Sequence, residues 1–201
     1  MKIFYGWFIV AIACICYGFG ISPAYYSWGF YFPELQKELG FTKADLGAVF
    51  GLFTFTYSAV GPVVGILQRI IGIRACMALG GVISTVGFLI VSQADQKWHF
   101  FLGMSILGGI GVGMSTIIPC QTLGQNWFKK RIGLVIAIIL CSGGVVGFGI
   151  TTFDAWVIEN FAGSWRTGWQ IIACISFATA LLAGICIRDT PEKMGLLRDG
   201  E

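Results

Sequence analysis

The chain has 201 residues, of which 56% are hydrophobic and only 11% are charged, and its net charge at pH 7 is +3. Soluble domains average about 25% charged residues, so these few charges exclude a soluble fold of this size. A membrane barrel is excluded too, because it would show short segments alternating apolar and polar residues, whereas these segments are continuously apolar. We therefore expect an all-α integral membrane protein whose first partner is the lipid bilayer. The net positive charge does not indicate nucleic-acid binding, because the cations lie in short loops between apolar segments.

Runs without Lys, Arg, Asp or Glu predict six transmembrane helices. Each run holds roughly 20 residues or more, enough to cross a hydrocarbon core of about 30 Å. The runs lie between Lys2 and Glu34, Asp45 and Arg69, Arg74 and Asp95, Lys97 and Lys129, Arg131 and Asp154, and Arg166 and Arg188. The first run is longer than the apolar region of a signal peptide, so we interpret it as a retained helix. Residues 1–187 are predicted to form the bundle, and residues 188–201 a cytoplasmic tail or the start of a central linker.

The distribution of Lys and Arg predicts the orientation of the bundle. If the helices alternate in direction, one side carries nine cations and the other carries four. The nine are Lys2, Arg69, Arg74, Lys129, Lys130, Arg131, Arg188, Lys193 and Arg198. Because loops rich in Lys and Arg face the cytoplasm, both termini are predicted to be cytoplasmic, in a multi-pass protein of the cell membrane.

Glycine and proline are expected to shape the helices. Among 29 glycines, pairs four residues apart occur in several runs, for example Gly109/Gly113 and Gly143/Gly147. Such spacing lets helix backbones approach closely, either as static packing or as surfaces that slide during gating. Three prolines inside the runs are expected to bend their helices, because proline removes one backbone hydrogen bond. They are Pro23, Pro62 and Pro119.

Polar and aromatic residues in the first helix are candidates for substrate binding. Ser22 and Tyr25 share a helix face, and Tyr26 lies beside it. Tyr25, Tyr26 and Trp28 could line a cavity with ring faces and hydroxyl groups. The alternative is an aromatic cluster at the membrane interface, because these residues approach the outer end of the helix.

Gln121 in the fourth helix is the other candidate. An amide inside a bilayer is costly unless it is paired or faces water, so we expect Gln121 to face a cavity.

No pattern of enzyme chemistry is found in the sequence. There is no P-loop, HExxH or GxSxG pattern, and the single histidine, His99, lies at a helix edge. The seven cysteines lie in apolar segments without metal-ligand spacing, which favours packing roles. We therefore predict no enzyme activity, no metal site and no cofactor. The acids nearest the membrane interior, Asp154 and Glu159, are predicted to lie on the extracellular side, so a charge for ion coupling or for an ionic substrate must come from elsewhere.

Three stretches resemble the N-terminal half of a major facilitator superfamily transporter. The likeness is to the branch that contains monocarboxylate transporters and oxalate/formate antiporters. YGW at residues 5–7 and GFYFPEL at residues 29–35 are similar to that branch's start and end of helix 1. WFKKRIGL at residues 127–134 is similar to its entry to helix 5, and GSWRTGW at residues 163–169 to the superfamily's entry to helix 6.

The resemblance implies six helices arranged as a 3+3 inverted repeat, which form half of a twelve-helix fold. It also implies transport of small organic anions, of monocarboxylate or formate/oxalate type, by alternating access. Because the substrate site of the family lies between two halves, a second six-helix half or a homodimer partner is implied. The alternative is a truncated or regulatory six-helix membrane protein without transport activity of its own.

The cytoplasmic loops carry the positions that match the family's gating motifs. The superfamily pattern GxLxDRxGxR aligns with GILQRIIGIR at residues 65–74. The implied gating residues are Gly65, Arg69, Gly72 and Arg74, with Arg131 and Gly133 in the 4–5 loop. Arg69 replaces the family's acid, which is thought to pair across an interface that opens during transport, so this latch is altered.

Tyr26 aligns near the position where some monocarboxylate transporters carry a helix 1 lysine. Proton-linked lactate chemistry is therefore not supported by this position. The resemblance instead implies an aromatic pocket, as in the oxalate/formate group.

Overall fold

The computed structural model describes residues 4–160 and 165–198, and all regular structure in these residues is helical. Five helices are long and apolar enough to cross a membrane, and a bent pair of helices makes a sixth when its parts are counted together. The prediction of six spans is confirmed on that count. Lys2, and Gly163 and Ser164 of the predicted entry to helix 6, lie outside the described residues. We number the membrane-crossing segments span 1 to span 6 in chain order.

Span 1 is a long helix followed by two short segments. The helix Gly6–Tyr26 leads into a 3₁₀ turn at Trp28–Tyr31 and a short helix at Phe32–Leu39. Gly40 ends this segment with φ of 62°, a left-handed conformation that glycine adopts without steric cost. The change in helix type after Tyr26 brings aromatic side chains of this segment into the core at this end of the bundle.

Span 2 is a broken helix made of Lys43–Ala59 and Gly61–Ile71, which meet at an angle of 45°. It begins with a capping box, in which the side chains of Thr42 and Asp45 each accept a backbone N–H from the other residue. Pro62 lies in the first turn after the break, where its missing N–H costs least. The predicted bend at Pro62 is confirmed.

Span 4 changes helix type twice and is broken once more at Thr116. It runs through an α-helical turn at Lys97–Phe100, a π-helical stretch at Phe101–Gly108 and α-helices at Gly109–Ser115 and Ile117–Trp127. The last break comes three residues before Pro119, as expected from a proline that cannot donate to the preceding turn. Wide π-helical turns often lie at functional sites in membrane proteins and enzymes.

The remaining spans are single helices. Span 3 is Ile73–Ser92, span 5 is Ile132–Asn160 and span 6 is Trp165–Cys186. A 3₁₀ turn at Pro191–Met194 follows span 6 in the tail.

The packing of the spans is symmetric in chain order. Span 1 packs on span 5, and span 2 packs on span 4. Likewise span 1 contacts span 6, span 3 contacts span 4, and span 3 packs along span 6. Exchanging spans 1, 2 and 3 for spans 4, 5 and 6 maps these contacts onto one another, which is the pattern that a 3+3 repeat gives.

The two ends of the bundle are held differently. At the tail face, where span 6 leads into the tail, the loops between spans 2 and 3 and between spans 4 and 5 meet. Asn126 and Trp127 donate side-chain hydrogen bonds to the carbonyl oxygens of Asp189 and Arg188 there, both at 3.0 Å. At the opposite face, the loops are joined by ion pairs, including Lys97 with Asp45 at 2.7 Å.

Candidate functional site

A cavity of about 360 Å³ opens between four spans of the bundle. Its lining is aromatic and apolar, with four tyrosines and two glycines, and includes no charged side chain among the described residues. The lining residues are Tyr17, Ile21, Tyr25, Tyr26, Tyr57, Ile117, Leu140, Gly143 and Gly144. They come from spans 1, 2, 4 and 5, so spans 3 and 6 take no part in the lining.

Helix periodicity places the lining of span 1. Tyr17, Ile21 and Tyr25 follow each other at intervals of four residues, which puts them on one face of the helix. Tyr26 lies next to that face, and its ring contacts the ring of Tyr25 edge-on with centroids 5.6 Å apart. Both of these tyrosines are more than two-fifths exposed, so their side chains are accessible to a small molecule.

Tyr57 closes the cavity from span 2. Its ring stacks on Phe53, with centroids 6.3 Å apart. Its hydroxyl group is buried and has no hydrogen-bond partner in the described part of the chain. A buried phenol without a partner can donate a hydrogen bond to an oxygen of a bound ligand. A carboxylate is a strong acceptor for such a donor, because it is charged.

Glycines of span 5 make room for the tyrosine rings. A Cβ atom added at Gly143 would lie 2.8 Å from the ring of Tyr17, and one added at Gly147 would lie 2.6 Å from the ring of Tyr26. A side chain at either position would fit only if the facing ring moved. These glycines therefore let spans 1 and 5 approach each other while the rings stay beside the cavity.

Two predicted substrate-binding residues do not line this cavity. Ser22 is fully buried and donates a hydrogen bond to the Gly143 carbonyl oxygen at 2.8 Å, which ties span 1 to span 5. Trp28 is 3% exposed and packs among the rings of Phe32, Phe100 and Trp169. The structure assigns packing contacts to both residues, because the 3₁₀ turn after Tyr26 directs Trp28 into the core.

Gln121 is half-buried in span 4 and is absent from the cavity lining. Ile117, which lines the cavity, is four residues earlier on the same helix face. Gln121 therefore lies one helical turn from the cavity in the direction of the tail face.

Two of the predicted gating residues meet the tail. Gly72 has φ of 89°, which side chains rarely adopt, and it connects spans 2 and 3. The backbone N–H of Arg74 donates to Asp189 Oδ1 at 2.9 Å, and the Arg74 side chain bonds the Gly184 carbonyl oxygen. A carboxylate is thus present at the 2–3 loop, although Arg69 stands where the family has its acid. It is supplied by the end of span 6.

The other predicted gating residues lie in open surroundings. Arg69, Arg131 and Gly133 are exposed. A Cβ atom added at Gly65 or Gly133 would meet nothing within 4 Å. These positions are therefore open to contact with another protein surface or with the lipid headgroups.

One acidic side chain is buried in the described part of the bundle. Asp154 of span 5 is only 4% exposed, and the Tyr31 hydroxyl group donates to its Oδ1 at 3.2 Å. The acid is at the end of span 5 near the opposite face, as its position in the sequence predicts. Its burial was missed because the folding of Tyr31 over it depends on the 3₁₀ turn in span 1.

Two further features could have been found from sequence patterns. Tyr17 shares a face with Tyr25, because residues i and i+8 lie on the same side of a helix about two turns apart. Asp189 is the first acid after span 6, next to the predicted cytoplasmic loops. Its bond to the Arg74 backbone requires knowledge of the packing and is not readable from the sequence.

The comparisons with known proteins agree with this architecture. The sequence profile described as Major Facilitator Superfamily matches residues 8–201, which is nearly the whole chain. The chain belongs to the Major Facilitator Superfamily. The resemblance seen in the sequence is thereby confirmed. Members of this superfamily are membrane transporters and not enzymes.

Curated relatives include an uncharacterized transporter named ESBP6 from Saccharomyces cerevisiae, 27% identical over 84% of this chain. Monocarboxylate transporter 13 of Rattus norvegicus is 23% identical over 86% of the chain, and monocarboxylate transporter 11 of Homo sapiens is 24% identical over 86%. This superfamily chain spans only 24%, 39% and 36% of these three relatives' lengths, respectively.

Proposed function

We propose that the chain is one half of an alternating-access transporter of small organic anions, of monocarboxylate or formate/oxalate type. The observation that carries this proposal is the cavity lined by tyrosines from spans 1, 2, 4 and 5. Its volume of about 360 Å³ suits a small molecule. Two of the relatives named above are monocarboxylate transporters by name, which agrees with the substrate class.

The chemistry of the cavity supports an anion with a small apolar part. Tyr25, Tyr26 and Tyr57 offer hydroxyl donors, and Ile21 and Leu140 offer apolar surface. A carboxylate needs donors or a cation, and no cation lines this cavity in the described residues. We therefore propose that the second half of the site supplies the positive charge.

Large apolar side chains of spans 2 and 5 support a second half as the partner. Ile66 and Ile70 of span 2 are 62% and 75% exposed, and Val145 and Phe148 of span 5 are 73% and 80% exposed. Both spans also line the cavity, so a partner covering them would close it. We propose a second six-helix half or a second copy of the chain as that partner.

The proposed orientation has the tail face in the cytoplasm of a cell membrane. The predicted majority of cations on that side supports it. Labelling intact cells with a membrane-impermeant maleimide should leave a Gly195→Cys variant unmodified and modify a Gln96→Cys variant. The reverse pattern would invert the orientation.

Co-reconstitution tests the function. Liposomes that contain this chain and a six-helix C-terminal half should take up labelled formate, oxalate or lactate, and liposomes with either half alone should not. Uptake by a verified monomer of this chain would show that no second half is needed. If no combination transports, the alternative of a regulatory six-helix protein is favoured.

Variants of the cavity test the site within that assay. Tyr26→Phe and Tyr25→Phe should raise the KM for the anion, because each removes one hydroxyl donor. Tyr5→Phe is the matched control, since Tyr5 packs on Trp127 outside the cavity, with centroids 5.6 Å apart. Unchanged kinetics in both cavity variants would mean that the two tyrosines pack in the bundle and do not bind the substrate.

A further inference from the structure

Asp154 combines burial with incomplete hydrogen bonding. One carboxyl oxygen, Oδ1, accepts from the Tyr31 hydroxyl group at 3.2 Å. The other oxygen, Oδ2, is buried and has no hydrogen-bond partner in the described part of the chain. Carboxylate oxygens are strong acceptors, so a buried one without a donor is a costly arrangement for the charged form.

The described groups around Asp154 do not neutralise a negative charge. Ser27 and Tyr31 of span 1 face the carboxyl group, and neither carries a charge. From span 6, Gly168 lies directly against the Tyr31 hydroxyl oxygen. Arg166, two residues before Gly168, pairs with Glu38 and not with Asp154. Among the described residues no cation forms an ion pair with Asp154.

Ser27 completes the local pattern. Its hydroxyl group is also buried without a hydrogen-bond partner among the described residues, although it faces the same carboxyl group. The serine O–H can donate to a carboxylate oxygen, and an acid O–H on Oδ2 can donate to the serine oxygen, so Ser27 can serve either form of the acid. The neutral acid is favoured instead by burial, because Asp154 is only 4% exposed and no described cation pairs with it.

We infer that Asp154 is a proton-binding site, loaded while the ends of spans 1, 5 and 6 are packed together. Loading forms one O–H bond on Oδ2 and changes the carboxyl group from charge −1 to neutral, with no oxidation or reduction. When these ends part and water reaches Oδ2, hydration stabilises the carboxylate and the proton leaves. The packing of spans 1, 5 and 6 at the opposite face is thereby linked to pH.

Proton binding is measured directly by infrared spectroscopy on the purified chain in lipid nanodiscs. The wild type should show the carbonyl stretch of a protonated carboxylic acid at pH 7, and this band should disappear as the pH is raised. Asp154→Asn should abolish the band. Asp95→Asn should leave it unchanged, because the Asp95 side chain is 86% exposed. A wild type without the band, or Asp154→Asn with the band intact, would overturn the inference.

Tyr31→Phe provides a second variant that keeps the acid. Removal of the hydroxyl donor should shift the same band to higher frequency, because a carbonyl group released from a hydrogen bond has a stiffer C=O bond. A band that does not move in Tyr31→Phe would belong to another acid and would also overturn the inference.

A role of this proton in transport rests on the proposed function. In the co-reconstituted transporter, anion uptake by the wild type should depend on external pH, and uptake by Asp154→Asn should be independent of it. If the infrared band behaves as expected but no variant transports, the proposed function fails and the proton site stands. If uptake of Asp154→Asn keeps the wild-type pH dependence, the coupling fails while transport stands.

Discussion

Glycines lie in several contacts between spans, and two of these contacts differ in what the glycines meet. Between spans 3 and 4 they meet backbone: a Cβ atom added at Gly111 would lie 2.4 Å from the Ser84 nitrogen, and one added at Gly87 would lie 2.4 Å from the Gly103 carbonyl oxygen. Between spans 1 and 5, Gly147 meets the far end of a side chain, the ring of Tyr26. Backbone atoms cannot move away without shifting a helix, whereas a ring can rotate.

The difference divides the bundle into a fixed part and an adaptable part. Spans 3, 4 and 6 form the fixed part, and Gly81 there also lies against the Ala180 backbone. The contact between spans 1 and 5 is adaptable only beside the cavity, where Gly143 and Gly147 face tyrosine rings. At Gly18 of the same contact, an added Cβ atom would lie 3.1 Å from the Ser142 carbonyl oxygen. The backbone contacts between spans 3 and 4 therefore fit static packing, and the ring contacts beside the cavity leave room for adjustment.

The largest effect is expected from Gly111→Ala. The added methyl group meets two backbone atoms, the Ser84 nitrogen at 2.4 Å and the Gly80 carbonyl oxygen at 2.6 Å. Overpacking of this kind typically costs about 1–3 kcal/mol, so the thermal unfolding temperature in detergent should fall. Gly51→Ala is the matched control, since nothing lies within 4 Å of its added Cβ atom and the helix should gain about 0.5–1 kcal/mol. Equal stability of the two variants would contradict a fixed contact.

Gly147→Ala is expected to change stability less than Gly111→Ala does, and to alter the cavity. Its methyl group would lie 2.6 Å from the Tyr26 ring, which can turn toward the cavity. We expect the free energy of unfolding to change by less than about 1 kcal/mol, because relief of strain and helix propensity offset each other. In the co-reconstituted transporter the KM should change, because Tyr26 lines the cavity.

Gly149→Ala is the control for this prediction. It lies two residues further along span 5, and its added Cβ atom meets nothing within 4 Å. A loss of stability in Gly147→Ala as large as that in Gly111→Ala would show that the contact between spans 1 and 5 is as rigid as the other.

The sequence predicts the spans and their breaks, but not which contacts between them are rigid. The spans followed from charge-free runs, because charges at a helix centre are costly in a bilayer. The breaks near Pro62 and Pro119 followed from the missing N–H of proline. Equal glycine spacing at Gly109/Gly113 and Gly143/Gly147 could not show which glycines meet backbone, because that depends on the facing helix.

The candidate site was predicted only in part for the same reason. Tyr25 and Tyr26 lie at the cavity, since helix periodicity fixes their face. Ser22 and Trp28 do not, because a hydrogen bond to span 5 and the 3₁₀ turn decide where they point. Asp154 was predicted only to lie on the extracellular side, and its burial depends on Tyr31, 123 positions away in the chain.

A modest effect is expected from the serine pair that joins spans 3 and 6. The Ser84 and Ser176 hydroxyl oxygens are 2.6 Å apart and both are buried. A double-mutant cycle with Ser84→Ala and Ser176→Ala should give a coupling free energy of about 0.6 kcal/mol, the average for such bonds in membrane proteins. Thr85→Ala, which removes a bond to Gly81 within span 3, should show no coupling to Ser176→Ala. Zero coupling between the serines would leave glycine packing as the main contribution to the fixed contact.

The smallest effect is expected at the opposite face, from Arg166→Gln. Arg166 pairs with Glu38, lies 3.4 Å from Asp95 and is half-buried over the Trp165 ring. Exposed ion pairs contribute about 0–1 kcal/mol and are screened by salt. The unfolding temperature in detergent should therefore fall slightly at low salt and approach the wild-type value at high salt. Lys97→Gln, which breaks the other ion pair of this face, should behave in the same way. A large loss that persists at high salt would mean that this face is as rigid as the contact between spans 3 and 4. Spans 1, 5 and 6 could then not part there, and Asp154 could not exchange its proton by the opening inferred above.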